Sequence, residues 1–155
     1  FEQDSVVQAL RGDGANLGFI QIEEDYRGTA AANLAKFYVG ACYLKLEDYE
    51  SSLLYLEEFS SNDLLVQSKA YSLMGDAHME LGEYDEAASL YERAANHKPT
   101  DQFSPFYLMK AALAYEQAGK NEEATGAYQK IIDQYPTSDL VPQAKKYMHR
   151  ITGAA

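Results

Sequence analysis

Residue types able to do chemistry are plentiful in this chain, and their spacing assembles none of the usual sites. Asp13, Gly18, Ile20 and Glu24 fall at the first, sixth, eighth and twelfth places of a calcium loop, but Ala15 and Leu17 stand at the third and fifth, where oxygen ligands are required. Gly12, Gly14 and Gly18 lack the following Lys-Ser/Thr and the preceding apolar strand of a phosphate loop, and read as a flexible corner. His78, His97 and His149 stand at separations that match no zinc spacing, and Cys42 has no CxxC partner. His78 reads as a packing residue. The acid runs Glu23-Glu24-Asp25, Glu57-Glu58 and Glu122-Glu123 lie in amphipathic patterns, where adjacent carboxylates usually form a solvated face. No nucleophile is spaced with a base. The expectation is a non-enzyme with no catalytic residue, cofactor or metal site.

The elements that carry these residues follow a repeat. Three stretches superimpose when displaced by about 35 residues. The middle one runs Tyr71, Met74-Gly75, His78, Leu81-Gly82, Tyr84, Ala87, Tyr91, Ala94 and Pro99. The third gives Leu108, Ala111-Ala112, Tyr115, Ala118-Gly119, Ala124, Tyr128, Ile131 and Pro136, and the first, looser, gives Val39-Gly40, Tyr43, Leu46, Tyr49, Ser52, Leu56 and Phe59. Each reads as two helices. Gly82 suits the left-handed residue that ends a helix, Pro99 stops the next one, and Gly75 and Ala87 on facing helices would let two backbones approach. Ser104 reads as an N-cap with Pro105 at the first helical position. In repeat one, Glu47 and Ser52 replace the expected Gly and Ala.

This pattern resembles the tetratricopeptide repeat, with a period of about 34 residues. The resemblance implies an all-α fold, a right-handed α-solenoid of about three helix hairpins with repeats at 33–66, 68–101 and 105–138. Residues 17–26 read as the second helix of an N-terminal half-repeat, residues 1–10 as a further helix, and 139–151 as a capping helix begun by Ser138 or Asp139. Lys145, Lys146, His149 and Arg150 then suit the dipole of that last helix. The whole of 1–155 is expected to be one domain of about nine helices.

In such folds the first helix of each pair lines a concave face. The resemblance places Leu34, Phe37, Ala41 and Leu44 there from repeat one, Lys69, Ser72, Asp76 and Met79 from repeat two, and Phe106, Met109 and Leu113 from repeat three. Protein or peptide partners are the expected ligands, held by adaptable apolar contacts. The alternative is a self-association module whose groove is filled by residues 1–26. Several of Phe37, Met79, Phe106 and Met109 exposed together would mark a free groove. A basic clamp for chaperone tails is not expected, because Phe37, Ala41, Leu73 and Phe106 hold its places and Lys110 alone has suitable charge.

Charge narrows the partners further. With 13 Lys and Arg against 24 Asp and Glu, the net charge is −11, which argues against nucleic acid and suits a neutral or basic polypeptide. At 155 residues the chain can bury roughly 68–70 % of its unfolded surface, sufficient without disulfides or metal. Cys42 alone cannot form an internal disulfide. No apolar run is long enough to span a bilayer. The run from Asn33 to Gly40, preceded by Tyr26-Arg27-Gly28-Thr29, is similar to membrane-tethered tetratricopeptide proteins related to the ancillary subunit of the bacterial Sec translocon. That similarity implies an extracytoplasmic location and an anchor upstream of Phe1, whose place in lieu of Met suggests a removed N-terminal piece. A cytoplasmic location is the alternative, and the oligomeric state stays open.

Overall fold

The computed structural model describes residues 2–153; Phe1, Ala154 and Ala155, which the sequence reading included in its domain, lie outside the described residues. Among the described residues there are nine α-helices: α1 (Glu2–Arg11), α2 (Phe19–Asp25), α3 (Ala30–Lys45), α4 (Tyr49–Glu58), α5 (Leu64–Glu80), α6 (Tyr84–His97), α7 (Ser104–Gln117), α8 (Asn121–Gln134) and α9 (Val141–Thr152). The all-α class of helix hairpins is what the repeat pattern leads one to expect. The chain divides between Asp63 and Leu64 into two compact units.

In the first unit, α3 and α4 form a hairpin, and α1 and α2 both pack on α3. The core gathers Leu10, Val39 and Cys42, with Val6, Phe19, Ile20, Tyr43, Leu46 and Tyr55 packed around them. The corner before α2 is not loose. Asp13 Oδ1 accepts from the backbone N–H of Ala15 at 2.9 Å and of Asn16 at 2.7 Å, and Gly12 bridges to Leu17. A Cβ on Gly18 would lie 2.3 Å from the backbone of Arg11 and Gly12, so glycine is needed there for close backbone approach. The Asn16 side-chain and backbone bonds hold the Asp13 carboxyl below the usual carboxylate range. A carboxylate occupied in closing its own turn explains Asp13 without calcium.

In the second unit, α5–α6 and α7–α8 are hairpins, α6 packs on α7, and α9 packs on α8. One part of the core joins Ala94, Tyr107, Leu108, Tyr128, Ile131 and Ala144; another joins Ala87, Ala88, Tyr91, Ala111 and Ala114. The space that Gly75 leaves is filled by an aromatic ring. A Cβ there would meet the Tyr91 ring at 2.6 Å, and one on Gly40 would meet Leu56 at 2.5 Å, so each glycine vacates space for the large residue of the next helix. Ser52 fits where Ala is usual because it is fully buried and donates to the Gly40 carbonyl at 2.8 Å.

The helix ends follow one rule three times. Asp48, Glu83 and Lys120 donate their N–H to the carbonyls of Tyr43, His78 and Tyr115 at 3.0, 2.9 and 2.8 Å, closing α3, α5 and α7 through a left-handed residue. That residue is Gly82 or Gly119 at φ 76° and 74°, but Glu47 at 62° in the first unit. Left-handed backbone costs a side-chain-bearing residue roughly 1–2 kcal/mol, partly offset by the entropy a glycine would lose. Glu47→Gly is therefore expected to stabilise the first unit by about 1 kcal/mol, read as a higher thermal midpoint; an unchanged or lower midpoint contradicts the argument.

Two expected caps are corrected. Ser104 is not an N-cap: α7 begins at Ser104, and its hydroxyl donates to Ala95 O and accepts from Thr100 N–H, both at 2.9 Å, tying the end of α6 to the start of α7. Before α9 the capping position is Leu140, and neither Ser138 nor Asp139 caps; Ser138 Oγ accepts from Leu140 N–H at 3.2 Å within the turn. Helix α5 opens at Leu64, ahead of the boundary at 68, because Leu64 stands where Pro99 and Pro136 halt the later repeats and nothing there prevents helix.

Candidate functional site

Helical periodicity decides which residues of α5 and α7 a ligand can reach. Helix α7 buries Ser104, Pro105, Tyr107, Leu108, Met109, Ala111, Ala112 and Ala114, leaving one stripe spaced four, three and four apart in which Phe106, Leu113 and Gln117 are exposed and Lys110 is half-buried. Phe106 is 48 % exposed and Leu113 37 %. Met109, expected on the partner face, is 6 % exposed in the core with Tyr128 and Ile131. It sits off the open stripe, on the side of α7 that other helices cover. On α5 Leu65, Lys69 and Glu80 are exposed and Leu73 and Asp76 between them are half-buried; Ser72, also expected to face a ligand, is fully buried, and Met79 is half-buried.

The two stripes are joined by a polar cluster. Lys110 Nζ donates to Asp76 Oδ1 at 2.5 Å and lies 3.4 Å from Ser72 Oγ, while Tyr91 donates its hydroxyl to the same Asp76 oxygen at 2.6 Å. The ammonium also lies over the Tyr91 ring at 4.9 Å and the Phe106 ring at 5.3 Å. Burial, then the Asp76 charge, pushes the Tyr91 hydroxyl far above the usual tyrosine range, and burial pushes Tyr107 up as well. Both conditions keep a phenol protonated, so this is a neutral donor holding a carboxylate and not a catalytic base. Lys110, the one residue of suitable charge for a tail clamp, is engaged with Asp76. The spacing of Phe106, Lys110 and Leu113 was the available signal for this stripe.

The first unit places its predicted residues less openly. Leu34 is 43 % exposed, whereas Phe37, Ala41 and Leu44 are half-buried. The Phe37 ring packs on Phe59 at 5.3 Å and on Tyr38 at 5.4 Å. Ala41 lies in a cleft of about 300 Å³ lined by Ser5, Val6 and Ala9 of α1, so the N-terminal helix covers that part of α3. Cys42 lines the same cleft, and burial, opposed by Lys45, pushes its thiol up from the ordinary value, away from the reactive thiolate. Of the four residues proposed to mark a free groove, Phe106 is exposed, Phe37 and Met79 are half-buried and Met109 is buried.

Two of the histidines and one acid of the paired runs make structural contacts. His78 Nδ1 meets Glu83 Oε2 at 2.6 Å across the α5–α6 turn, and the His97 ring stands edge-on to Tyr71 at 5.6 Å. Lys36 donates to Glu58 at 2.7 Å, and that bond holds the Glu58 carboxyl below its usual range. Among the described residues, no three of His, Cys, Asp and Glu are grouped to hold a metal, and no helix is long and apolar enough to cross a membrane.

Comparison with known proteins agrees with this layout. A family model described as tetratricopeptide repeat matches the chain twice, over residues 43–105 and 72–139, together more than half of its length. No curated protein matches it.

Proposed function

We propose, from the premise that this chain belongs to the tetratricopeptide repeat family, that it is a non-catalytic scaffold holding polypeptide partners on the inner stripes of its first helices. Repeats of this family are generally protein–protein interaction modules. The observation that carries the reading here is the α7 stripe, where Phe106 and Leu113 stand exposed on a helix otherwise packed on its remaining sides. Exposed aromatic and aliphatic side chains beside a rigid, already satisfied Lys110–Asp76 pair offer burial of about 25 cal/mol per Å², less the cost of ordering a flexible ligand. The net charge of −11 favours neutral or basic segments. No nucleic acid, cofactor or metal enters the reading.

The similarity of residues 26–40 to translocon-associated tethered proteins supports a finer version: assistance to complex assembly or to quality control of exported chains, on the extracytoplasmic side of a bacterial inner membrane. The competing reading, self-association with the groove filled by the N-terminal segment, draws support from α1 over Ala41.

A photoreactive residue placed at Phe106 or Leu113 in cells is expected to give discrete polypeptide adducts, and one at Leu54, exposed on α4, to give none. Adducts only with a second copy of the chain, together with dimer in sedimentation at micromolar concentration, favour self-association; equal labelling from all three positions removes the inner-stripe reading. Phe106→Ala should reduce adduct formation without loss of helicity. Phe37→Ala is the poorer test, because the ring's contacts with Phe59 and Tyr38 make it part of the fold.

A further inference from the structure

At the edge of the second unit, where the start of α5 meets the turn between α6 and α7, lies a recess of about 210 Å³ lined by Leu65, Ser68, Lys69, Lys98, Phe103 and Tyr107. It adjoins a wider cleft of about 710 Å³, with which it shares Lys69, Phe103 and Tyr107 and which reaches Phe106. Two observations mark the smaller recess as more than a gap between helices. Leu65 and Phe103 are large apolar residues left about two-fifths exposed at it. Lys69 and Lys98 are both exposed and neither forms an ion pair with an acidic residue among the described residues, in a chain where acids outnumber bases.

We infer that this recess is an anchor site for a partner polypeptide, taking an apolar side chain of leucine or phenylalanine size followed directly by an acidic residue. The apolar side chain fills the recess between Leu65, Phe103 and Tyr107. The following carboxylate is held by the two lysine ammonium groups at the rim of the recess. Charge gives the site its selectivity. Asp101 and Asp139 line the wider cleft, and the net charge of −11 disfavours acidic segments over the surface as a whole; at this recess the two lysines without acids reverse that preference locally. This deepens the scaffold reading and rests on it only in taking the ligand to be polypeptide. Its test uses small probes that need no inner stripe, so the two can fail separately.

The probes are acetyl-Leu-Asp-amide, its neutral isostere acetyl-Leu-Asn-amide and the polar acetyl-Ser-Asp-amide, titrated into the full isotope-labelled chain while backbone amide resonances are followed. The Leu-Asp probe is expected to shift the amides of Ser68, Lys69, Phe103 and Tyr107 saturably, with a dissociation constant on the order of millimolar, as suits so small a ligand. The Leu-Asn and Ser-Asp probes should each bind at least about fivefold more weakly. Lys69→Met with Lys98→Met should abolish the preference for Asp over Asn while leaving the spectrum of a folded protein. The proposal is overturned by equal binding of the Asp and Asn probes, by shifts that persist unchanged in the double lysine variant, or by no saturable shift at all. Loss of photoadducts at Phe106 and Leu113 with the probe shifts intact would count against the inner stripe alone.

Discussion

Tyr128→Ala is expected to destabilise the second unit by about 3–5 kcal/mol, the range for removing a large aromatic from a closed core. The ring is fully buried among Ala124, Ile131 and Ala144, and Tyr147 stands edge-on to it at 5.9 Å. Its hydroxyl donates to Glu116 at 2.5 Å, so the side chain ties α8 to α7 through the ring and through the oxygen at once. The two contributions separate. Tyr128→Phe retains the ring, and Glu116 keeps Arg150, which donates to its other oxygen, so this change should cost only about 1 kcal/mol. The measurement is the urea midpoint reported by α8 amides in the two variants. Equal losses from Ala and Phe would mean that the hydroxyl alone matters and that the ring does not hold the hairpin.

How much of this was readable in advance depends on whether a residue's role is set by its own repeat or by a neighbouring helix. Gly82 and Gly119 announce their left-handed turns, and Glu47, found out of pattern, adopts the same conformation because the hydrogen bonds around it are made by the backbone. The hairpins were legible for the same reason: spacing of small and large residues is local information. The need for space at Gly75 was legible in the same way, and the structure singles out the Tyr91 ring as what takes it. Ser104 carries the signature of a cap, yet two bonding groups of the preceding segment lie within its reach and claim the hydroxyl. Met109 and Ser72 were misplaced because a generic inner-face position fixes the helix but not its rotation, and on α7 the covered side is wider than one stripe. The edge recess could not be seen at all. Lys69, Lys98 and Phe103 come from three segments, and what distinguishes them, exposed apolar surface beside lysines without acids, is a juxtaposition that only packing creates.

Alkaline pH should unfold the second unit through its tyrosines. Tyr91, Tyr115 and Tyr128 each donate a hydroxyl to a carboxylate, Asp76, Glu92 and Glu116 respectively. Burial comes first among the causes in all three, and with the adjacent carboxylate it raises Tyr115 to about 12 and the other two further. An unfolded tyrosine loses its proton near 10. Between that value and the folded one, the folded chain holds a proton that the unfolded chain has lost, so the stabilisation is complete below about pH 10 and disappears as pH rises above it. Tyr91 and Tyr128, both almost wholly inaccessible, should each contribute a fall of about 1.4 kcal/mol per pH unit in that window; Tyr115, partly exposed, should contribute less. Tyrosinate absorbance should then show two classes among the 13 tyrosines, one rising near pH 10 and one appearing only as helicity is lost. Tyr91→Phe with Tyr128→Phe should lower stability at neutral pH yet move the alkaline midpoint upward, because a phenylalanine has no proton to lose. A single tyrosinate transition near pH 10 with helicity intact would show that these hydroxyls titrate freely, and that the carboxylates across from them accept no protected hydrogen bond.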